Sequence, residues 1–212
     1  MLKINEIFYS IQGESTYAGL PCLFIRLTGC NLRCRYCDTQ YAYAEGKDTD
    51  LNEILNRVNQ YNCNLIEITG GEPLLQSETF QLAKSLIEQG KKVLVETNGT
   101  QNIDLLPEPV IRIMDVKCPG SGESNRMDWN NIDRLRANDN VKFVISHRED
   151  FDWAVNTVER FNLLKSAIVL FSPAFGLMKS EILAEWMLKL SLPIRLNLQL
   201  HKYIWDPKRR GV

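Results

Sequence analysis

The chain has 212 residues, 44% hydrophobic and 24% charged, with a net charge of −1. That balance describes a globular protein with one good-sized core, without the basic footprint of a nucleic-acid binder or any apolar run near the roughly 20 residues of a membrane span. Met1–Glu6 shows no charged-then-apolar leader pattern, so the six cysteines predict a reducing, cytoplasmic setting rather than a disulfide framework.

Taken in chain order, Ile4 to Tyr9 and onward past Gly13 read as an N-terminal hairpin, followed by a β-rich apolar run at Cys22–Leu27. Leu51, Ile54, Leu55 and Val58 then recur at helical spacing before a second strand at Leu65–Ile68. Phe80, Ala83, Leu86 and Ile87 predict another helix, with Gly90 as its C-cap, and Val93–Glu96 a strand. Strands follow at Val110–Asp115, Val141–Ile145, Ala167–Phe171 and Ile194–Leu198. Between the later ones lie helical stripes at Ala154, Val158 and Phe161, and at Ile182, Leu183, Trp186, Met187 and Leu190. Lys202, Lys208, Arg209 and Arg210 make the tail basic, either as a solvated end or as a dock for an acidic partner.

Short strands alternating with helices predict a parallel sheet with right-handed crossovers. A closed eight-fold barrel typically needs about 250 residues, so the expected fold is α/β, a partial open parallel β/α barrel of about six units with the N-terminal hairpin as an extension. Residues 1–212 read as a single domain. Ligands should gather at the C-terminal ends of the strands.

Two motifs sit at such ends. Cys30, Cys34 and Cys37 fall within eight residues after Leu27, spaced C-x3-C-x2-C. A cubane iron–sulfur cluster usually takes four cysteines, so three leave one iron open for a small molecule, the mark of a reactive rather than a structural centre. Zinc is the competing reading, but it needs a fourth ligand, and His147 and His201 are both remote in sequence. The second motif, Thr69-Gly70-Gly71-Glu72-Pro73, follows Leu65–Ile68, where paired glycines let backbone approach a ligand closely. Cys22 and Cys63 read as small core residues. Arg33 and Arg35 flank the cysteines, either offsetting thiolate charge and attracting an electron donor or simply solvating the loop.

The cysteine spacing together with Gly70-Gly71-Glu72-Pro73 resembles the radical S-adenosylmethionine (SAM) superfamily. Longer stretches are similar to the 7-carboxy-7-deazaguanine synthase family: Phe8–Ser15, Phe24–Leu32, Cys37–Thr39, Glu96–Thr100, Asp115–Gly122 and Leu198–Lys202. The segment Phe171–Gly176 is less diagnostic, because family members often carry a different polar residue there. The resemblance implies a 4Fe–4S cluster on Cys30, Cys34 and Cys37, whose open iron binds the methionine end of SAM. Reduction then releases a 5′-deoxyadenosyl radical. It implies conversion of 6-carboxy-5,6,7,8-tetrahydropterin into 7-carboxy-7-deazaguanine and ammonia, a ring contraction on the route to queuosine. It also implies a homodimer and a low-potential electron donor such as flavodoxin.

Carried over residue by residue, Tyr36, Cys37, Asp38, Gly71, Lys117, Cys118 and Pro119 would contact SAM, with Thr97 and Asn98 either helping or forming a turn. Thr39 would contribute to a magnesium ion, which prefers oxygen ligands. Ile11, Gln12 and Gly13 match the pterin-contacting segment, and Glu14 would accept from the guanidine-like ring edge. Arg26 is a charge in an apolar strand pattern and needs a partner, either the substrate carboxylate or an internal carboxylate. Thr69, Gln199 and His201 are further candidates at the same mouth. A glycyl-radical activase shares the cysteines and glycine pair but must admit a protein substrate. A non-catalytic iron–sulfur electron carrier or sensor is the alternative outside enzymes.

Overall fold

The computed structural model describes residues 1–212. Strand β1 (Leu2–Ile11) folds back antiparallel on β2 (Pro21–Leu27), with Ile4 opposite Leu27 and Ile11 opposite Pro21. A three-residue strand β3 (Lys47–Thr49) borders β1 on its outer side. From β2 onward every pairing is parallel, through β4 (Leu65–Gly70), β5 (Lys92–Thr97), β6 (Ile111–Val116), β7 (Asn140–Ile145), β8 (Ile168–Pro173) and the short β9 (Arg195–Leu196). The result is one continuous sheet in the order β3-β1-β2-β4-β5-β6-β7-β8-β9, the expected open parallel barrel with an antiparallel extension.

The helices follow the apolar stripes. In α1 (Leu51–Val58) the Asp50 side chain caps the first turn by accepting from the Asn52 N–H at 2.9 Å, and Ile54 and Val58 are buried. Helix α2 (Thr79–Glu88) buries Leu82, Ala83 and Leu86, and Gly90, at φ +77°, closes it. Helices α3 (Arg148–Arg160) and α4 (Leu163–Ser166) cross from β7 to β8, α5 (Ser180–Leu188) from β8 to β9, and α6 (His201–Ile204) ends the chain's regular structure. Ile182 departs from the expected stripe: it is exposed, and Leu183 is the fully buried residue of α5.

The alternation of strand and helix breaks between β5 and β6 and between β6 and β7, where only 3-10 turns occur. Polar side chains stitch these crossovers to the sheet instead. Asn131 donates to the Gly99 carbonyl at 3.0 Å and to that of Gln101 at 2.8 Å, while its own oxygen accepts from the Ile103 N–H at 3.2 Å. Arg112, fully buried, pairs with buried Asp139 and also donates to the Ile103 carbonyl at 3.3 Å and the Arg134 carbonyl at 2.5 Å. Removing one partner of such a pair strands a buried charge. Asp139→Ala is therefore expected to cost about 3–5 kcal/mol in urea unfolding. A loss below about 1 kcal/mol would mean that Arg112 finds water or another acceptor.

Candidate active site

The parallel strands direct alternate side chains inward, and the period of two selects the site. Phe24 and Arg26 of β2, Glu67 and Thr69 of β4, Ile113 and Asp115 of β6 with Lys117 just beyond it, Lys142 and Val144 of β7, and Ser172 of β8 all line one cavity of about 430 Å³. Its mouth lies at the C-terminal ends of these strands, where both sequence motifs fall.

The cysteine loop packs directly on the glycine pair. Leu27 of β2 lies opposite Gly70 of β4, the Gly71 N–H donates to the Leu27 carbonyl at 3.2 Å, and the Glu72 N–H donates to that of Gly29 at 2.7 Å. Cys30, Cys34 and Cys37 are free, half-buried and face the cavity. The Cys30 sulfur accepts from the Leu32 N–H at 3.4 Å and from the Asn98 side-chain amide at 3.9 Å, donors that suit a thiolate. No three His, Cys, Asp or Glu groups converge tightly enough to hold a single metal ion. A cubane instead distributes three thiolates over three irons. Burial pushes the Cys34 thiol up to about 11 and raises Cys30 as well, and the positive charge of coordinated iron would offset that burial.

Glu72 fixes the next strand end. Fully buried, it accepts from the Thr97 hydroxyl at 2.8 Å, the Asn98 N–H at 2.6 Å and the Leu74 N–H at 2.9 Å. Burial outweighs those donors and pushes its pKa up to about 7. Asn98 then holds Asn31 of the cysteine loop at 3.0 Å. Thr97 and Asn98 thus brace the cluster loop through Glu72.

Deeper in the cavity lies a charged system. The Lys142 ammonium contacts Glu96, Glu14 at 2.9 Å and Asp115 at 3.5 Å, and Lys117 pairs with Asp115 at 2.8 Å. Glu67 accepts from the Gln12 amide, while the Gln12 oxygen accepts from the Glu14 N–H at 2.8 Å. Burial and the neighbouring Glu96 and Glu14 push Glu67 well above the usual carboxylate range. Burial opposes ionisation of Glu14 as well, but Lys142 and the Gln199 amide outweigh it and hold Glu14 low. Thr69 donates to Glu96 at 3.1 Å.

The rim is basic. Arg26 donates through Nε to Glu6 at 2.8 Å and lies over the rings of Phe8 and Tyr41, so its internal partner is Glu6. Its two terminal nitrogens make no hydrogen bond within the protein, and the side chain lines the cavity. Asp38, itself exposed, pairs with Lys202, and the ammonium holds the carboxyl low. The Thr39 hydroxyl donates to Asp38 at 2.9 Å. The Tyr36 hydroxyl donates to the Val144 carbonyl at 3.3 Å. His201 packs against Gly13, where an added Cβ would lie 2.2 Å from His201 Nδ1.

Of the residues singled out from sequence, Ile11, Gln12, Gly13, Glu14, Arg26, Cys30, Cys34, Tyr36, Cys37, Asp38, Thr39, Thr69, Gly71, Lys117, Gln199 and His201 all line this cavity. Cys118 and Pro119 do not. Alternation turns Cys118, the residue after Lys117, away from the barrel interior into the core, and Pro119 is exposed because the chain has left the strand there and begun a 3-10 turn, Pro119–Ser121. Gln12 has both ends of its amide taken up by the protein, so its side chain braces the floor. Glu67, Glu96, Asp115 and Lys142 were not anticipated. Each is a charge inside an apolar strand run, the same signal that drew attention to Arg26.

A three-cysteine loop and a glycine pair at adjoining strand ends of an open parallel barrel define a class, and the family model for the radical SAM superfamily matches residues 24–169. The chain belongs to that superfamily. It is 44% identical to the 7-carboxy-7-deazaguanine synthase of Chlorobaculum tepidum, covering 100% of this chain and 97% of that one. It is 42% identical to the enzyme of the same name from Koribacter versatilis, with both chains covered completely. The crystal structure of QueE from Escherichia coli shares the fold, with a TM-score of 0.80 at 20% identity over 94% of each chain. Within the superfamily, the chain belongs to the 7-carboxy-7-deazaguanine synthase family.

Proposed function

We propose that this chain is a lyase that converts 6-carboxy-5,6,7,8-tetrahydropterin into 7-carboxy-7-deazaguanine and ammonia, using a 4Fe–4S cluster and SAM. The observation that carries the reading is the charge polarity of the cavity that holds the cysteines. The carboxylates of Glu14 and Glu96 lie around Lys142, and the free guanidinium end of Arg26, with Lys202 and Lys208, supplies cations elsewhere in the same cavity. A carboxylated pterin has the matching polarity, with an N–H-rich guanidine-like edge and a carboxylate at the other end. A protein loop, as a glycyl-radical activase would need, has no such fixed polarity.

The cluster, when reduced with SAM bound, supplies a carbon radical that abstracts hydrogen. This chain's own residues do the rest. Cys30, Cys34 and Cys37 would hold the cluster, with Gly71 giving backbone access beside it and Tyr36, Asp38 and Lys117 bordering SAM. Glu14 would accept from the ring edge, with Ile11, Gln12, Gly13, Thr69 and His201 enclosing it. The free terminal nitrogens of Arg26 would take the substrate carboxylate as a fork. Thr39 would offer its oxygen to magnesium near that carboxylate. A low-potential donor such as flavodoxin, a homodimeric state, a cytoplasmic location and action of residues 1–212 as one domain belong to the same reading. No helix is long and apolar enough to cross a membrane.

Anaerobic turnover with reconstituted cluster, a low-potential reductant, SAM and the pterin, followed by mass spectrometry, tests it. A pterin-dependent product lighter by one ammonia is expected. SAM cleavage without that product removes the substrate but keeps the radical chemistry; no cleavage with a reducible cluster favours a carrier or sensor. Arg26→Ala is expected to lower kcat/KM about 10–100-fold, the worth of a charge-assisted hydrogen bond, at unchanged iron content. Loss of iron in that variant would make Arg26 structural.

A further inference from the structure

Lys142 is the interior cation paired with the most carboxylates, three of them, and no motif announces it. Its ammonium projects from the middle of β7 and is nearly inaccessible to solvent, with 4% of the side chain exposed. It reaches Glu14 from the segment after β1, Glu96 from β5 and Asp115 from β6. Asp115 Oδ2 in turn takes Lys117 at 2.8 Å, on the side of the cavity that carries Cys34. Glu67 of β4 and the more distant Arg26 and His201 complete the charged groups around this system.

Without this cation, three carboxylates would face one another in a buried space, and ionising all of them would be strongly unfavourable. With it, Glu14 and Glu96 are held as acceptors at fixed positions, Glu14 from its other oxygen by Gln199 at 2.9 Å and Glu96 by Thr69 at 3.1 Å. Charged acceptors of fixed geometry discriminate a ring edge that carries N–H donors from one that carries oxygen. The wrong ring leaves buried carboxylates unpaired or pressed against a carbonyl.

We infer that Lys142 is a positioning residue that holds Glu14 and Glu96 as a paired acceptor for a 2-amino-4-oxo ring, and so sets the enzyme's preference for pterins over 2-oxo analogues. This inference rests on the pterin reading above and goes further by assigning selection of the ring edge to a residue that need not touch the ring.

The test compares wild type, Lys142→Met and Lys142→Arg, each folded by thermal melting and reconstituted with cluster, using 6-carboxytetrahydropterin and its 2-oxo counterpart. Glu14 is also followed by carbon-13 NMR titration in the absence of pterin, with Glu14→Gln to assign its signal. In Lys142→Met, KM for the pterin is expected to rise about tenfold or more while kcat falls far less, and the preference over the 2-oxo ring to collapse. Glu14 is expected to titrate at higher pH, because burial then acts on it without the opposing ammonium. Lys142→Arg should recover much of each change. A pterin KM within about twofold of wild type, or an undiminished ring preference, overturns the inference. Should wild type itself neither bind nor turn over the pterin, the functional reading fails instead. The Glu14 titration then decides the role of Lys142: a rise in Lys142→Met supports positioning, and no change overturns it.

Discussion

Replacing Cys34 by alanine is expected to abolish turnover and to strip most of the iron from the reconstituted protein, while the fold survives. The reason is where the cysteines sit. None of Cys30, Cys34 and Cys37 belongs to the 40-residue hydrophobic core, and all three face the cavity from a loop anchored elsewhere, by the Arg35 N–H on the Ser121 carbonyl at 3.0 Å and by Glu72 on Gly29 at 2.7 Å. Two thiolates cannot replace three around a cubane whose remaining iron must stay open. Cys118→Ala is the contrasting case. That thiol is fully buried, in the core, and burial pushes it well above its ordinary value. Its loss is expected to cost about 1 kcal/mol of stability and to leave iron content intact. Iron analysis, SAM binding and unfolding of the two variants read both outcomes, and weakened SAM binding in Cys118→Ala would return that residue to the site.

The contrast between those cysteines also shows how far a sequence can be read here. The strands were legible because both-face burial makes short unbroken apolar runs, and each expected run lies within two residues of an observed strand or, at β9, encloses it. The cysteine loop and glycine pair were legible because their spacing is local. What escaped depended on register. Asp115 and Lys117 point into the barrel and Cys118 out of it, so proximity in sequence to Lys117 was misleading, whereas counting by twos would have separated them. Glu67, Glu96, Asp115 and Lys142 sit in four different strands, and only sheet order brings them together. The rule applied to Arg26, that a charge in a buried strand needs a partner, would have flagged all of them and Arg112 too. Strand β3 is three residues long and has no apolar run to betray it.

Gly71→Ala carries the second large expectation, because here the loop and the strand meet backbone to backbone. A Cβ on Gly71 would lie 2.1 Å from the Gly29 carbonyl oxygen, 2.6 Å from its carbon and 2.8 Å from Cys30 Cβ. These are not the ends of flexible side chains, so the methyl group can be accommodated only by moving the first cluster ligand away from β4. Misplacing reacting groups by about 1 Å can cost about 100-fold in rate, and a loss of that order in kcat/KM is expected, with weakened SAM binding and lower iron retention. Overpacking adds about 1–3 kcal/mol of destabilisation. Gly90→Ala separates this from ordinary glycine strain. Gly90 has a positive φ of +77°, yet nothing lies within 4 Å of an added Cβ. That substitution should cost about 1–2 kcal/mol of stability and leave iron content and SAM affinity as in wild type. Equal iron retention and equal SAM affinity in Gly71→Ala and Gly90→Ala would mean that the close approach of the two motifs is a packing detail. A selective loss in Gly71→Ala would show that this contact sets the position of Cys30, and through it where SAM lies relative to Glu14 and Glu96.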